Sequence, residues 1–407
     1  MAGEQSPGHV TGSPAYRRML AALVCAGVAT FAQLYSPQGM LQLIAADLRI
    51  GAEQAALAVS AATAGLALAV VPWSFVGDRI GRLRAMVIAV AAATALALVA
   101  AWAPTFELML GLRFLEGAAL GGIPALAMAY LSEEVHEQAR AIAAGWFVAG
   151  TTVGGLLGRL VATPIADVLS WRVGMTAVTI LSAIAAVAFV LLAPPERRFV
   201  LPDLRGGGHG TRTARLLVTL RDPGQLVLFA CAFLLMGGFV AIYNYLSFHL
   251  STMPYLLPAG LIGLVFLAYL GGTVSSPLAG RFAARHGRLP VLLTSMGVML
   301  LGLLLTLAGP LALVLLGLLV MTAGFFGAHS IASGWAGARA DGARSQATGL
   351  YNFAYYAGSS ALGWATGHVY EARGWPATVA VVGAGVVLAA LLCLSVLRGR
   401  QDDRAGQ

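Results

Sequence analysis

The 407-residue sequence contains no lysine, and all 25 of its basic residues are arginines. Charged residues of both signs make up only 10% of it, where a soluble domain carries about 25%. A soluble fold of this length needs a charged coat that this chain cannot supply, so most of its surface must face lipid. The net charge of +8 does not imply nucleic acid, because the arginines form no basic patch on one face. Cysteine is scarce too. Cys25, Cys231 and Cys393 each lie inside an apolar run, and an odd number there predicts neither a disulfide framework nor a metal site. No loop is long enough for a nucleotide-binding fold, which argues against direct ATP drive.

Apolar residues, by contrast, make up 59% of the chain. A span needs about 20 of them in sequence. Such runs predict twelve transmembrane helices, at 19–43, 54–76, 85–103, 106–131, 141–163, 172–193, 225–248, 259–280, 289–309, 311–337, 347–368 and 376–397. The first follows Arg17 and Arg18, as a signal peptide would, but no clear small-residue cleavage site follows it and eleven more spans do. Arginine placement sets the orientation. With the N-terminus inside, twenty arginines fall in cytoplasmic segments. Arg49, Arg172 and Arg373 fall in outer loops, and Arg113 and Arg159 fall within spans. This bias predicts a multi-pass protein of a bacterial inner membrane with both termini cytoplasmic.

The longest loop, 194–224, opens with Pro194-Pro195-Glu196-Arg197-Arg198 and contains Gly206-Gly207-Gly208, a linker by composition. It predicts an N-terminal six-helix bundle (1–193), a cytoplasmic linker (194–224), a C-terminal six-helix bundle (225–397) and a cytoplasmic tail (398–407). An internal repeat supports the division. Arg79-Ile80-Gly81-Arg82-Leu83 recurs as Arg285-His286-Gly287-Arg288-Leu289, and Gly150-Thr151-Thr152 as Gly358-Ser359-Ser360. The expected fold is an all-α polytopic membrane protein of twelve helices in two pseudo-symmetric halves, with a substrate bound near the midplane.

The motifs in these spans resemble the major facilitator superfamily over nearly the whole chain. Ser74-x-x-Gly77-Asp78-Arg79-x-Gly81-Arg82 is similar to the family's loop motif between helices two and three, with Ser at the first Gly. Gly280-x-x-Ala283-Ala284-Arg285-x-Gly287-Arg288 is its second copy, with Ala284 at the Asp. Met109-x-x-x-Arg113-x-x-Glu116-Gly117 resembles the helix-four motif of proton-coupled members, with Glu116 where Gln is usual. Gly150-x-x-x-Gly154-Gly155-x-x-Gly158 resembles the antiporter motif, with Gly155 for the usual Pro and Arg159 for the final Gly. Leu34-Tyr35-x-Pro37 fits the drug-efflux branch. The stretches 121–134 and 324–335, with Tyr355-Tyr356-x-Gly358-Ser359-Ser360, are similar to the YnfM-like subfamily.

The resemblance implies a conformational lock at Asp78, Arg79, Gly81 and Arg82, with Asp78 accepting from a helix N-terminus near Gln346–Thr348; positive-inside anchoring is the alternative. Glu116 is the only deep carboxylate, one turn from Arg113, so the two can pair and can gate a proton. A static salt bridge is the competing reading. Gln33, Gln38, Arg159, Asn352, Tyr355, Tyr356 and His329 are expected to line a substrate cavity with that pair. For Arg159, snorkelling to the outer interface is the alternative, and for His329 a packed, hydrogen-bonded ring. Tyr243, Asn244 and Tyr245 form an aromatic cluster with an amide neighbour that suits drug-like rings or sugars, and an interfacial belt is the alternative. His136 with Glu133, Glu134 and Glu137 has metal-ligating residue types, but a solvated loop face explains them and no metal is expected.

These features predict a proton-coupled secondary transporter, not an enzyme, that exports small amphipathic or hydroxylated compounds by alternating access. Its partners would be the substrate, protons and the bilayer, with no nucleic acid and no cofactor, acting as a monomer. A uniporter or importer on the same fold is the nearest alternative, and a membrane-embedded enzyme or scaffold the more distant one.

Overall fold

Each long apolar run stops where the chain supplies a cap or a breaker. In the computed structural model, which describes residues 12–196, 217–340 and 343–398, Ser13 caps α1 (Pro14–Leu34) by accepting from the Tyr16 amide. Thr105 caps α5 (Phe106–Leu120) and Ser170 caps α8 (Trp171–Leu192) in the same way, satisfying amides that a helix start leaves without partners. Asp222 caps α9 (Pro223–Ser251), where Pro223 occupies a first-turn position that needs no N–H, and Arg339 clamps the Asp222 carboxylate at 2.6 Å. Also described are α2 (Leu41–Leu48), α3 (Ala52–Ile80), α4 (Arg82–Ala101), α6 (Gly122–Glu134), α7 (Glu137–Val168), α10 (Ala259–Leu264), α11 (Leu270–His286), α12 (Arg288–Leu305), α13 (Leu311–Arg339) and α14 (Arg344–Leu397). The middle of the expected linker (197–216) and most of the expected tail (399–407) lie outside the described residues.

Among the described residues, eleven helical segments are long and apolar enough to cross a membrane. The last is double. Within α14, Gly374 takes φ 70° and ψ −166°, which breaks the helix just before Trp375 and Pro376 and separates spans eleven and twelve. Other expected boundaries need correcting. Span one is not a single helix over 19–43. It stops at Leu34, tightens into a 3₁₀ turn at Ser36–Met40 around Pro37, and resumes as α2. Span four is interrupted at Gly121, between α5 and α6. Span eight passes through a 3₁₀ turn at Val265–Tyr269 and runs on to His286.

Leu191, Ile184, Leu391 and Leu304 are 69%, 64%, 57% and 55% exposed. A water-facing surface does not carry apolar area on this scale, whereas hydrocarbon accepts it. The chain is a multi-pass membrane protein. Its described residues form two units by contact: residues 12–44 and 61–196, and residues 45–60, 217–340 and 343–398. The first nine residues of α3 therefore pack with the second unit.

The sequence repeat has a physical basis. Gly81 (φ 98°, ψ 149°) joins α3 to α4, and Gly287 (φ 86°, ψ 160°) joins α11 to α12, each in a conformation essentially restricted to glycine. A Cβ at Gly150 would meet the Val24 carbonyl oxygen of α1 at 2.6 Å, and one at Gly358 would collide with the Phe233 carbonyl of α9. These glycines let α7 lie against α1 and α14 lie against α9 at backbone contact.

Candidate functional site

Pro37 dictates the chemistry at the centre of the first unit. It has no N–H, so the Gln33 carbonyl four residues earlier loses its usual i+4 donor and accepts instead from the Tyr35 amide and from Ser36 Oγ at 3.0 Å. The Gln38 amide turns to Tyr35 O at 3.0 Å, which frees the Leu34 carbonyl as well. Arg113 on α5 supplies both, with Nη1 donating to Gln33 O at 3.2 Å and Nη2 to Leu34 O at 2.7 Å. Nη1 also meets both Glu116 carboxylate oxygens at 2.8 Å. Arg113 and Glu116 are 0% exposed. The guanidinium thus holds a carboxylate on its own helix and the broken backbone of α1 at once. Gln33 Nε2 donates to Ala29 O and Thr94 Oγ1, and its Oε1 has no partner among the described residues.

Three residues past Tyr35, the same turn reaches a second buried cation. Arg159 of α7 donates through Nε and Nη2 to Gln38 Oε1 at 2.9 and 2.6 Å, and through Nη1 to Gly155 O at 2.6 Å. Its guanidinium carbon lies 4.9 Å from the Tyr35 ring centroid, a cation–π distance. Arg159 and Gln38 are both buried. Snorkelling does not describe this arginine, which turns into the protein. Gln33, Gln38, Arg113, Glu116 and Arg159 are therefore brought together around the stretch from the end of α1 through the 3₁₀ turn.

At the end of α3, Asp78 pairs with Arg82 at 2.5 Å, and Arg82 also reaches Glu133 at 3.2 Å. Glu196 accepts from the Leu83 amide at 2.9 Å, capping α4 beside Gly81. Glu133 is thus held by an arginine. Glu134 is buried rather than solvated, and the Glu137 side chain lies outside the described residues.

In the second unit, His329 Nδ1 lies 3.1 Å from the Tyr351 hydroxyl, and its ring centroid is 4.7 Å from that of Tyr355. Tyr355 meets Tyr356 edge-on at 5.1 Å, and Asn352 is half-buried one residue beyond Tyr351. His329, Asn352, Tyr355 and Tyr356 therefore lie on neighbouring stretches of α13 and α14. Tyr243, Asn244 and Tyr245 do not form an interfacial belt. All three are 0% exposed; Tyr243 bonds Thr322 at 2.7 Å, and Asn244 and Tyr245 bond the Gly363 carbonyl.

A sequence model of the Major Facilitator Superfamily matches residues 22–267 and 252–407. The inner membrane transport protein YnfM of Escherichia coli (strain K12) is 38% identical over 393 residues, covering 97% of this chain and 92% of YnfM. The uncharacterized transporter YybF of Bacillus subtilis (strain 168) is 34% identical over 371 residues and covers 91% of each chain. The chain belongs to the major facilitator superfamily. It is a transporter of the YnfM-like group and not an enzyme. Two solved structures share the fold at low identity. The nucleoside transporter NupG aligns with TM-score 0.75 at 15% identity, over 93% of this chain and 99% of that one. The xylose transporter XylE from E. coli aligns with TM-score 0.74 at 16% identity, over 94% and 98%.

Sequence reading missed one polar cluster of this transporter. Glu53, in the first turn of α3, accepts from the Trp364 indole at 2.8 Å and lies 3.3 Å from His368 Nε2. Glu371 accepts from the Glu53 amide at 2.9 Å and so caps α3 from another helix. Trp364, His368 and Glu371 are spaced four and three residues apart, which puts them on one face of α14. That spacing was visible in the sequence, but its partner lies over 300 residues away.

Proposed function

We propose that this transporter is a proton-coupled secondary carrier of a bacterial inner membrane, with both termini cytoplasmic, that exports small amphipathic or hydroxylated compounds by alternating access. The observation that carries this reading is the wholly buried Arg113–Glu116 pair and its grip on the break in α1. A carboxylate in the membrane interior is costly and marks a proton or substrate path. Protonation of Glu116 removes its negative charge and weakens its hold on Arg113, which keeps its bonds to the Gln33 and Leu34 carbonyls. The balance of forces on the non-helical turn then changes, and that turn carries Tyr35 and Gln38, which hold Arg159. Proton uptake at Glu116 is thereby tied mechanically to a second buried cation through adjacent contacts.

In the first unit Arg159, Gln38 and Gln33 Oε1 give donors and acceptors, and in the second unit Asn352, His329 and the tyrosine pair give rings and polar groups, each set suited to a solute with hydroxyl and apolar parts. Asp78, Arg79, Gly81 and Arg82 act as the conformational lock, with Arg82 sharing its charge between Asp78 and Glu133. A pH-jump experiment in proteoliposomes, run against a panel of drugs and sugars, tests the proposal. Substrate movement driven by an imposed pH gradient is expected, and it should vanish in Glu116→Gln while exchange at equal pH persists. Transport indifferent to the gradient would identify a uniporter.

A further inference from the structure

Cys231 and Cys393 sit 3.3 Å apart, sulfur to sulfur, at a place where sequence reading anticipates no disulfide. Both are free and 0% exposed. They come together for a packing reason. Gly238 presents no side chain toward Val382, and a Cβ there would meet Val382 Cγ1 at 2.7 Å, so α9 and the second half of α14 run against each other closely. Residue numbers rise along one helix as they fall along the other, from the 238–382 contact to the 231–393 contact. The pair is therefore antiparallel, and the sulfurs face each other across it. Cys231 Sγ also lies 3.9 Å from Ala389 O, one turn before Cys393, so its side chain is already turned toward the partner helix.

We infer that Cys231 and Cys393 form an oxidation site, a dithiol that a small peroxide converts to a disulfide joining α9 to the second half of α14. One thiolate attacks a peroxide oxygen, giving a sulfenic acid and water. The other thiolate attacks the sulfenic sulfur, the S–S bond forms, and a second water leaves. Two thiols and one hydrogen peroxide thus yield one disulfide and two waters. A disulfide needs sulfurs about 2.05 Å apart, and side-chain rotation within one helix pair closes most of that gap. Burial sets the selectivity. It keeps out bulky reagents such as glutathione, whereas neutral hydrogen peroxide is small enough to enter an apolar interior. Cys25, which is only partly buried and has no neighbouring cysteine, serves as an internal control.

The test uses full-length protein in proteoliposomes, treated with hydrogen peroxide, then denatured and labelled with a maleimide polymer that counts free thiols by gel mobility. The untreated protein should show three free thiols, and the oxidised protein one, restored to three by dithiothreitol. Peptide mass spectrometry should place the bond between Cys231 and Cys393, and the oxidised form should melt at a higher temperature than the reduced one. Cys393→Ser should stop at a Cys231 sulfenic acid that dimedone traps. Three free thiols after treatment, a bond involving Cys25, or over-oxidation of either buried cysteine without a bond would overturn the inference.

Discussion

Replacing Arg113 with methionine isolates what the guanidinium does for folding. In Arg113→Met the Glu116 carboxylate loses its partner in a fully buried place, and breaking such a pair costs about 3–5 kcal/mol. The Leu34 carbonyl loses its 2.7 Å donor as well, which adds about 1–3 kcal/mol for an unmet buried acceptor. The Gln33 carbonyl loses less, because Ser36 Oγ still donates to it at 3.0 Å. The double variant Arg113→Met/Glu116→Leu removes the stranded charge and should recover most of the pair's cost, leaving the backbone part, about 1–3 kcal/mol. Pro37→Ala added to the double variant gives the Gln33 carbonyl an N–H and should recover stability again. Chemical denaturation of purified protein in matched detergent, followed by tryptophan fluorescence, reads all four forms. A single variant as stable as the wild type, or a double variant no more stable than the single, would refute the account of Arg113 as a two-sided clamp.

Further outcomes follow from other contacts. Gly81→Ala and Gly287→Ala each force a side chain onto a positive φ and should cost about 1–3 kcal/mol by the same denaturation assay. Glu53→Gln breaks a pair whose His368 side is 61% exposed, so it should change stability by less than about 1 kcal/mol. Arg159→Lys keeps the charge but loses the fork on Gln38, and equilibrium binding of a transported compound should weaken at least tenfold, about 1.4 kcal/mol. A cysteine at Arg84 should label only from the cytoplasmic side and one at Glu107 only from outside, since both positions are exposed at opposite ends of the helices.

Legibility in the sequence followed the range of the forces involved. Spans and pseudo-repeat could be read because hydropathy and glycine punctuation act locally or repeat at a fixed offset. The Arg113–Glu116 pair was legible for the same reason, being one helical turn apart. The grip of Arg113 on α1 was not, because which side chain reaches the chain around Pro37 depends on how α5 packs. Arg159 was placed near the outer interface by counting along its helix, and the direction of its side chain was decided by Gln38 and Tyr35, over 120 residues earlier. The tyrosines at 243 and 245 looked interfacial by position, yet each found a polar partner inside its own unit. Glu53 escaped notice because three of its contacts come from α14.

The central claim is that Glu116 carries the coupled proton. The direct measurement is substrate flux in proteoliposomes for wild type and Glu116→Gln, with and without an imposed pH gradient, on preparations whose thermal stability is recorded alongside. The account predicts that Glu116→Gln abolishes gradient-driven flux while equal-pH exchange and substrate binding persist, and that Glu116→Asp keeps part of the coupling. A Glu116→Gln protein that is destabilised yet still accumulates substrate against its gradient at the expense of protons would contradict it.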